Sequence, residues 1–211
     1  MIKDNQKYFN RLHILIDAAV IAASYWFAWF LKFETGIFES VRSLSFQYYM
    51  TALLLIVPMY LILYSAFNLY TPKRVQGRRL ELANIVKANT LGLFILIGIL
   101  YLLKIIDFSR SMLVIFFFVN IAVEETVRMT IRIVLRDMRR KGMNQKHIVL
   151  VGYSRAAEEY IDRILANPQW GYTVRGILDD SVEAGTDYRG IKVLGRIDNL
   201  MIILPQNRLD E

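Results

Sequence analysis

His147-Ile148-Val149-Leu150-Val151-Gly152-Tyr153-Ser154-Arg155-Ala156-Ala157 joins a short, nearly continuous apolar run to a glycine and then to residues that enter a helix. An apolar run without alternation is the pattern of a parallel strand covered on both faces. Beyond the glycine, Ala157, Tyr160, Ile161, Ile164 and Leu165 recur at helical spacing and form one apolar stripe. Asn167-Pro168 stops that helix. A second strand is expected at residues 172–178, ending in the acidic pair Asp179-Asp180, and a third at residues 191–194 before Gly195. Strand, helix and strand with an acidic pair at the second strand's end open a doubly wound, Rossmann-like nucleotide-binding fold.

The glycine loop departs from the dinucleotide pattern G-x-G-x-x-G/A. The second glycine of that pattern lets the backbone approach a pyrophosphate, and here Ser154 stands in its place. Gly152 supplies the tight turn and Ala157 the close helix packing. A serine hydroxyl and a helix N-terminus still suit a phosphate. Gly152, Ser154, Ala157, Asp179 and Asp180 are therefore the residues expected to hold a nucleotide or nucleotide-sugar. The same residues also suit a structural α/β module with an empty cleft. No catalytic residue and no metal-ligand set is read in the chain. With no cysteine, disulfides, thiolate nucleophiles and cysteine metal sites are excluded.

Ahead of this module the chain is membrane-like. Apolar residues make up 55% of 211 and mean hydropathy is +0.33, above the usage of soluble domains. Residues 12–31 are long enough to cross a hydrocarbon core of about 30 Å and end in the aromatic belt Tyr25, Trp26, Phe27 and Trp29. Lys3, Lys7 and Arg11 precede this segment, but it is too long for a signal-peptide core and carries Asp17. Further spans are expected at about residues 48–69, with Pro58 as a tolerated kink, and 85–103, with Gly92 and Gly98 allowing close approach. A fourth starts near Phe108 and stays apolar until Glu124 and Glu125.

Net charge is +7, and the basic residues cluster beside the spans. Topology and anionic headgroups explain them better than nucleic acid, for which no binding module is present. Lysine and arginine crowd before the first span, between the second and third (Lys73, Arg74, Arg78, Arg79) and after the fourth. The positive-inside bias then puts both termini in the cytosol. Glu124, Arg128, Arg132, Arg136 and Arg140 recur every four residues along one helix leaving the membrane. That stripe reads either as a surface for headgroups and an anionic lipid-linked substrate, or as an anchor with a Glu124–Arg128 pair, the preferred reading. Asp17 is expected to have a structural partner rather than a transport role.

Asn68–Arg74 (NLYTPKR), Phe108–Phe117 (FSRSMLVIFF) and the stretch HIVLVGYSRAAEEYIDRILANPQWGYTVRGILDD followed by GIKVLGRIDNL resemble the amino-terminal half of bacterial polyprenyl-phosphate sugar-phosphate transferases. The likeness is to undecaprenyl-phosphate glucose phosphotransferases, which initiate exopolysaccharide or capsule assembly. It implies a catalytic half beyond residue 211, with a re-entrant membrane helix, an Asp-Glu pair and Mg²⁺; Asp210-Glu211 lacks the flanking segments of that pair. Membrane-bound nucleotide-sugar dehydratases and epimerases share this front end, and a free-standing membrane interaction protein is a third alternative. The expected architecture is a four-span α-helical membrane domain (1–141), a linker (142–146) and a truncated Rossmann-like module (147–211) awaiting further strands. By the same resemblance the parent transfers hexose-1-phosphate from a UDP-sugar to undecaprenyl phosphate at the bacterial plasma membrane. This chain alone is expected to be inactive, with the bilayer and its anionic lipids as direct partners and a homo-oligomer compatible with either reading.

Overall fold

The computed structural model describes residues 2–35, 44–71, 78–104 and 107–200. The connection carrying Lys73 and Arg74, and the terminal Asp210-Glu211, lie outside them. The chain divides into two compact units, residues 1–130 and 131–211.

The first unit is built from α1 (Ile2–Phe33), α2 (Phe46–Thr51), α3 (Leu53–Ala66), α4 (Arg78–Leu102) and the first part of α5 (Arg110–Arg140). Ala52 keeps a helical backbone between α2 and α3, so the two form one apolar segment. Pro58 sits inside α3 without ending it. Three segments, Arg11–Phe33, Phe46–Ala66 and Arg79–Leu102, are long and apolar enough to cross a membrane. The chain is a membrane protein with three such helices among the described residues. A fourth such helix is not shown among the described residues, because every window of α5 long enough to span holds Glu124 and Glu125 together with Arg110 or Arg128.

This unit buries polar and charged groups beside its apolar core and exposes large apolar side chains. Asp17, Asn89, Asn120, Glu124 and Arg128 are buried, whereas Leu54, Ile62, Phe94 and Phe118 (65% exposed) face outward. Such an arrangement is stable where the surrounding solvent is hydrocarbon. Its apolar core joins Ile21, Tyr25 and Trp29 of α1, Tyr60 and Tyr64 of α3 and Phe116 of α5. Tyr25 and Tyr60 both meet the Phe116 ring edge-on, at 5.4 and 5.5 Å. Gly92 lets α4 approach α3, since a Cβ there would lie 2.7 Å from the Tyr60 ring. Gly98 does not serve this purpose: a Cβ at that position meets nothing within 4 Å.

The second unit continues α5 into a four-stranded sheet with one helix. β1 (Lys146–Val151), α6 (Arg155–Ala166), β2 (Tyr172–Leu178), β3 (Asp187–Tyr188) and β4 (Ile191–Gly195) follow in order. The sheet order is β1-β2-β4-β3, with β1, β2 and β4 parallel and β3 antiparallel to β4. The β3–β4 hairpin was not expected, since Asp187-Tyr188 is too short to show a period. The strand expected at residues 191–194 is β4 and lies between β2 and β3. β1, read as buried on both faces, has only Ile148 buried, and Val151 is 57% exposed. It pairs with β2 alone among the described residues.

On α6 the expected stripe is narrower in practice. Ile161 and Ile164 are buried, Ile161 joining Ile177, Ile191 and Val193 in the module's core, while Tyr160 and Leu165 stay exposed. The helix ends at Asn167 before the turn Pro168–Trp170, and Gly171 turns the chain with φ +69° into β2. Gly176 is required where β2 passes β4, because any Cβ would collide with the Leu194 side chain. It also adjoins the register shift between Ile148 and Val149 of β1.

Candidate functional site

Parallel strands align their carboxyl ends, and the loops there form the crevice in which open α/β sheets take their ligands. Gly152, at the end of β1, adopts φ +90°, a conformation that favours glycine. Its amide donates to the Leu178 carbonyl at 2.8 Å, continuing the ladder to the last residue of β2. Ser154 then caps α6: its backbone is extended, and its hydroxyl accepts from the Ala157 amide at 3.3 Å, satisfying one of the free N–H groups of the first turn. Gly152, Ser154 and Ala157 are thus one continuous turn.

Asp179 joins this turn from the neighbouring strand. Its Oδ2 accepts the Tyr153 amide at 2.6 Å. Its Oδ1 accepts the Ser181 hydroxyl at 2.6 Å and the amides of Ser181 and Val182 at 2.7 and 2.9 Å. A carboxylate offers about four lone-pair sites; here three donors of this chain converge on Oδ1 and one on Oδ2. These bonds, the Ser181 hydroxyl foremost and then the backbone amides, hold the carboxyl well below the usual carboxylate range. Asp179 is therefore a latch between the glycine turn and the end of β2.

Asp180 turns the other way. Its Oδ1 accepts the Ile197 amide at 3.0 Å and lies 3.6 Å from Arg196 Nε, fixing the segment after β4. The five residues share the carboxyl edge of the sheet, but only four form one constellation. Tyr153 was not among them, yet its amide meets Asp179 and its hydroxyl donates to Glu158 at 2.7 Å, a bond that raises the phenol above its ordinary value. The signal that could have found the latch is Asp179-Asp180-Ser181-Val182, an aspartate followed by a hydroxyl residue two positions on, as in Asx turns.

A second polar constellation lies within the membrane unit. Arg128 Nη2 donates to Asp17 Oδ2 at 2.6 Å, and Nη1 donates to the Leu69 carbonyl at 3.3 Å. Arg128 Nη1 also stands 3.8 Å from Glu81, and its Nε stands 3.9 Å from Glu124, one turn back on α5. The structural partner expected for Asp17 is thus Arg128, and the Glu124–Arg128 pair is present. Arg128 is not part of a headgroup-facing stripe, because its side chain is 5% exposed.

A comparison with protein-family models matches residues 65–211 to the CoA-binding domain family. The chain belongs to the CoA-binding domain family. The match starts within α3, runs through α4 and α5, and takes in the whole α/β unit. In this CoA-binding domain protein, α4, α5 and the sheet thus fall under one family description. No curated protein matches the chain significantly.

Proposed function

We propose that this chain is the noncatalytic amino-terminal half of a bacterial undecaprenyl-phosphate hexose-1-phosphate transferase, the enzyme class that starts exopolysaccharide or capsule assembly. The observation that carries this reading is the single CoA-binding domain match across α4, α5 and the α/β unit, an arrangement compatible with a sugar-transferase fragment. In this reading the helices hold the protein at the plasma membrane with both termini cytosolic. The amino-terminal part of α5 completes a fourth crossing, its charged groups turned inward and Val114 and Phe118 turned to lipid. The turn Gly152–Ala157 receives the phosphate of a nucleotide, nucleotide-sugar or coenzyme A, through the α6 N-terminus and the Ser154 hydroxyl. Asp179 holds the turn and does not itself contact the ligand.

The test is transfer of labelled hexose phosphate from UDP-hexose to undecaprenyl phosphate by membranes carrying either the whole reading frame or residues 1–211. Lipid-linked product and UMP from the whole frame alone support the reading. Turnover by residues 1–211, or a downstream sequence with a second glycine fingerprint and Tyr-x-x-x-Lys, overturns it.

A further inference from the structure

Glu124 and Asn120 stand one helical turn apart on α5, and both side chains are completely buried. Neither carboxylate oxygen of Glu124 accepts a hydrogen bond, and neither does Asn120 Oδ1. The amide cannot be turned round to supply a donor. Asn120 Nδ2 already donates to Asn89 Oδ1 at 2.8 Å and to the Tyr64 hydroxyl oxygen at 2.9 Å. Asn89 Nδ2 donates to the same Tyr64 oxygen at 3.3 Å, so this network fixes which end of Asn120 faces away from it. Both acceptor groups therefore lie one turn apart with no hydrogen bond made to them at close range: the Tyr64 hydroxyl acts on Glu124, Arg128 Nε stays without a partner, and buried acceptors left in this state are costly.

The charges around them are unequal. Facing this position are Asp17 of α1, with His13 acting on it; Glu81 of α4; Tyr64 of α3 and Tyr70 beyond it; and Arg128 of α5. The Arg128 guanidinium is shared among three carboxylates. Its short contact goes to Asp17, while its Nε remains 3.9 Å from Glu124, outside hydrogen-bonding distance. The Ser24 hydroxyl oxygen, on α1 beside Val119 and Val123 of α5, is a further buried oxygen without a hydrogen-bond partner.

We propose that Glu124 and the Asn120 amide oxygen form a buried binding position for a small monovalent cation, a proton or a sodium ion. Either species supplies the positive charge the cluster lacks and satisfies both acceptors at once. As a proton it makes Glu124 a carboxylic acid donating to Asn120 Oδ1. As sodium it takes the same oxygens as ligands. Ionisable groups within membrane domains commonly mark such positions. This inference is independent of the transferase reading, since it rests on the helical unit alone.

The test uses the intact chain, labelled with ¹³C-carboxyl glutamate, in nanodiscs of ether lipids that carry no ester carbonyl. Infrared spectra are recorded at neutral pH in sodium chloride and in choline chloride, with thermal stability measured in parallel. A carboxylic acid band present in both salts and absent from Glu124→Gln identifies the proton. Stabilisation by sodium but not choline, lost in Glu124→Gln, identifies sodium. Should Glu124→Gln fail to fold, Asn120→Ala supplies the assignment, because it leaves Glu124 in place and shifts the acid band or abolishes the sodium effect. An ionised Glu124 in both salts with no sodium-specific stabilisation overturns the proposal and leaves Glu124 as a partner of Arg128 only.

Discussion

The Asp179 carboxylate at the end of β2 accepts the Tyr153 amide of the glycine turn at 2.6 Å, across 26 positions of sequence. One side chain thereby sets the geometry of a loop on the neighbouring strand. Because four donors stabilise the charged form, the pKa of Asp179 in the folded state lies below that in the unfolded chain. Its contribution to stability is complete above the unfolded value of about 3.9 and is lost as pH falls through the lower folded value. Amide exchange at Gly152 and Tyr153, corrected for intrinsic rates, is expected to stay constant from neutrality to about pH 4 and to rise below it. In Asp179→Asn one oxygen becomes an N–H₂ that faces a donor, so exchange at Tyr153 should be fast already at neutral pH. Unchanged protection in that variant would remove the latch.

Gly152 tests the turn itself. A Cβ at this position meets nothing within 4 Å, so crowding plays no part and only the φ of +90° opposes substitution. Gly152→Ala should cost about 1–3 kcal/mol, Gly152→Asn less and Gly152→Val more. Denaturant midpoints of the three variants give the ranking, and equal midpoints would contradict it.

The buried pair in the membrane unit predicts a non-additive pattern. Arg128→Leu leaves Asp17 buried and without its cation, at about 3–5 kcal/mol, whereas Asp17→Leu should cost less because Glu124 and Glu81 stay beside Arg128. The double variant should be more stable than Arg128→Leu alone. A double-mutant cycle on unfolding in mixed micelles measures the coupling, and additive losses would show that the two groups do not depend on each other.

Two glycines of α4 should respond differently to the same change. Gly92→Val drives methyl groups into the Tyr60 ring and should cost about 1–3 kcal/mol through overpacking. Gly98→Val faces open space and should be close to neutral apart from helix propensity. Thermal melts in detergent compare them directly.

The strand–turn–helix at residues 146–166 was legible because apolar run, glycine and amphipathic stripe agree with one another. The three apolar spans were legible by length. The role of α5 was not, since hydropathy sums a helix around its axis and cannot tell a charge turned to lipid from one turned to Asp17. Asn89 gave no sequence signal, because its meaning lies in Asn120 and Tyr64. Asp179 was correctly set at the crevice edge, but its type suggested a ligand contact. The four donors around it show that the chain itself engages both of its oxygens.

The Asp17–Arg128 pair also orders events during synthesis. The carboxylate belongs to the first helix made, and the guanidinium follows 111 residues later, a delay of roughly 6 to 22 seconds at translation rates of about 5–20 residues per second. Until α5 emerges, α1 carries an unmatched acid close to the membrane surface. The helix that arrives last is therefore the one that locks the first in place.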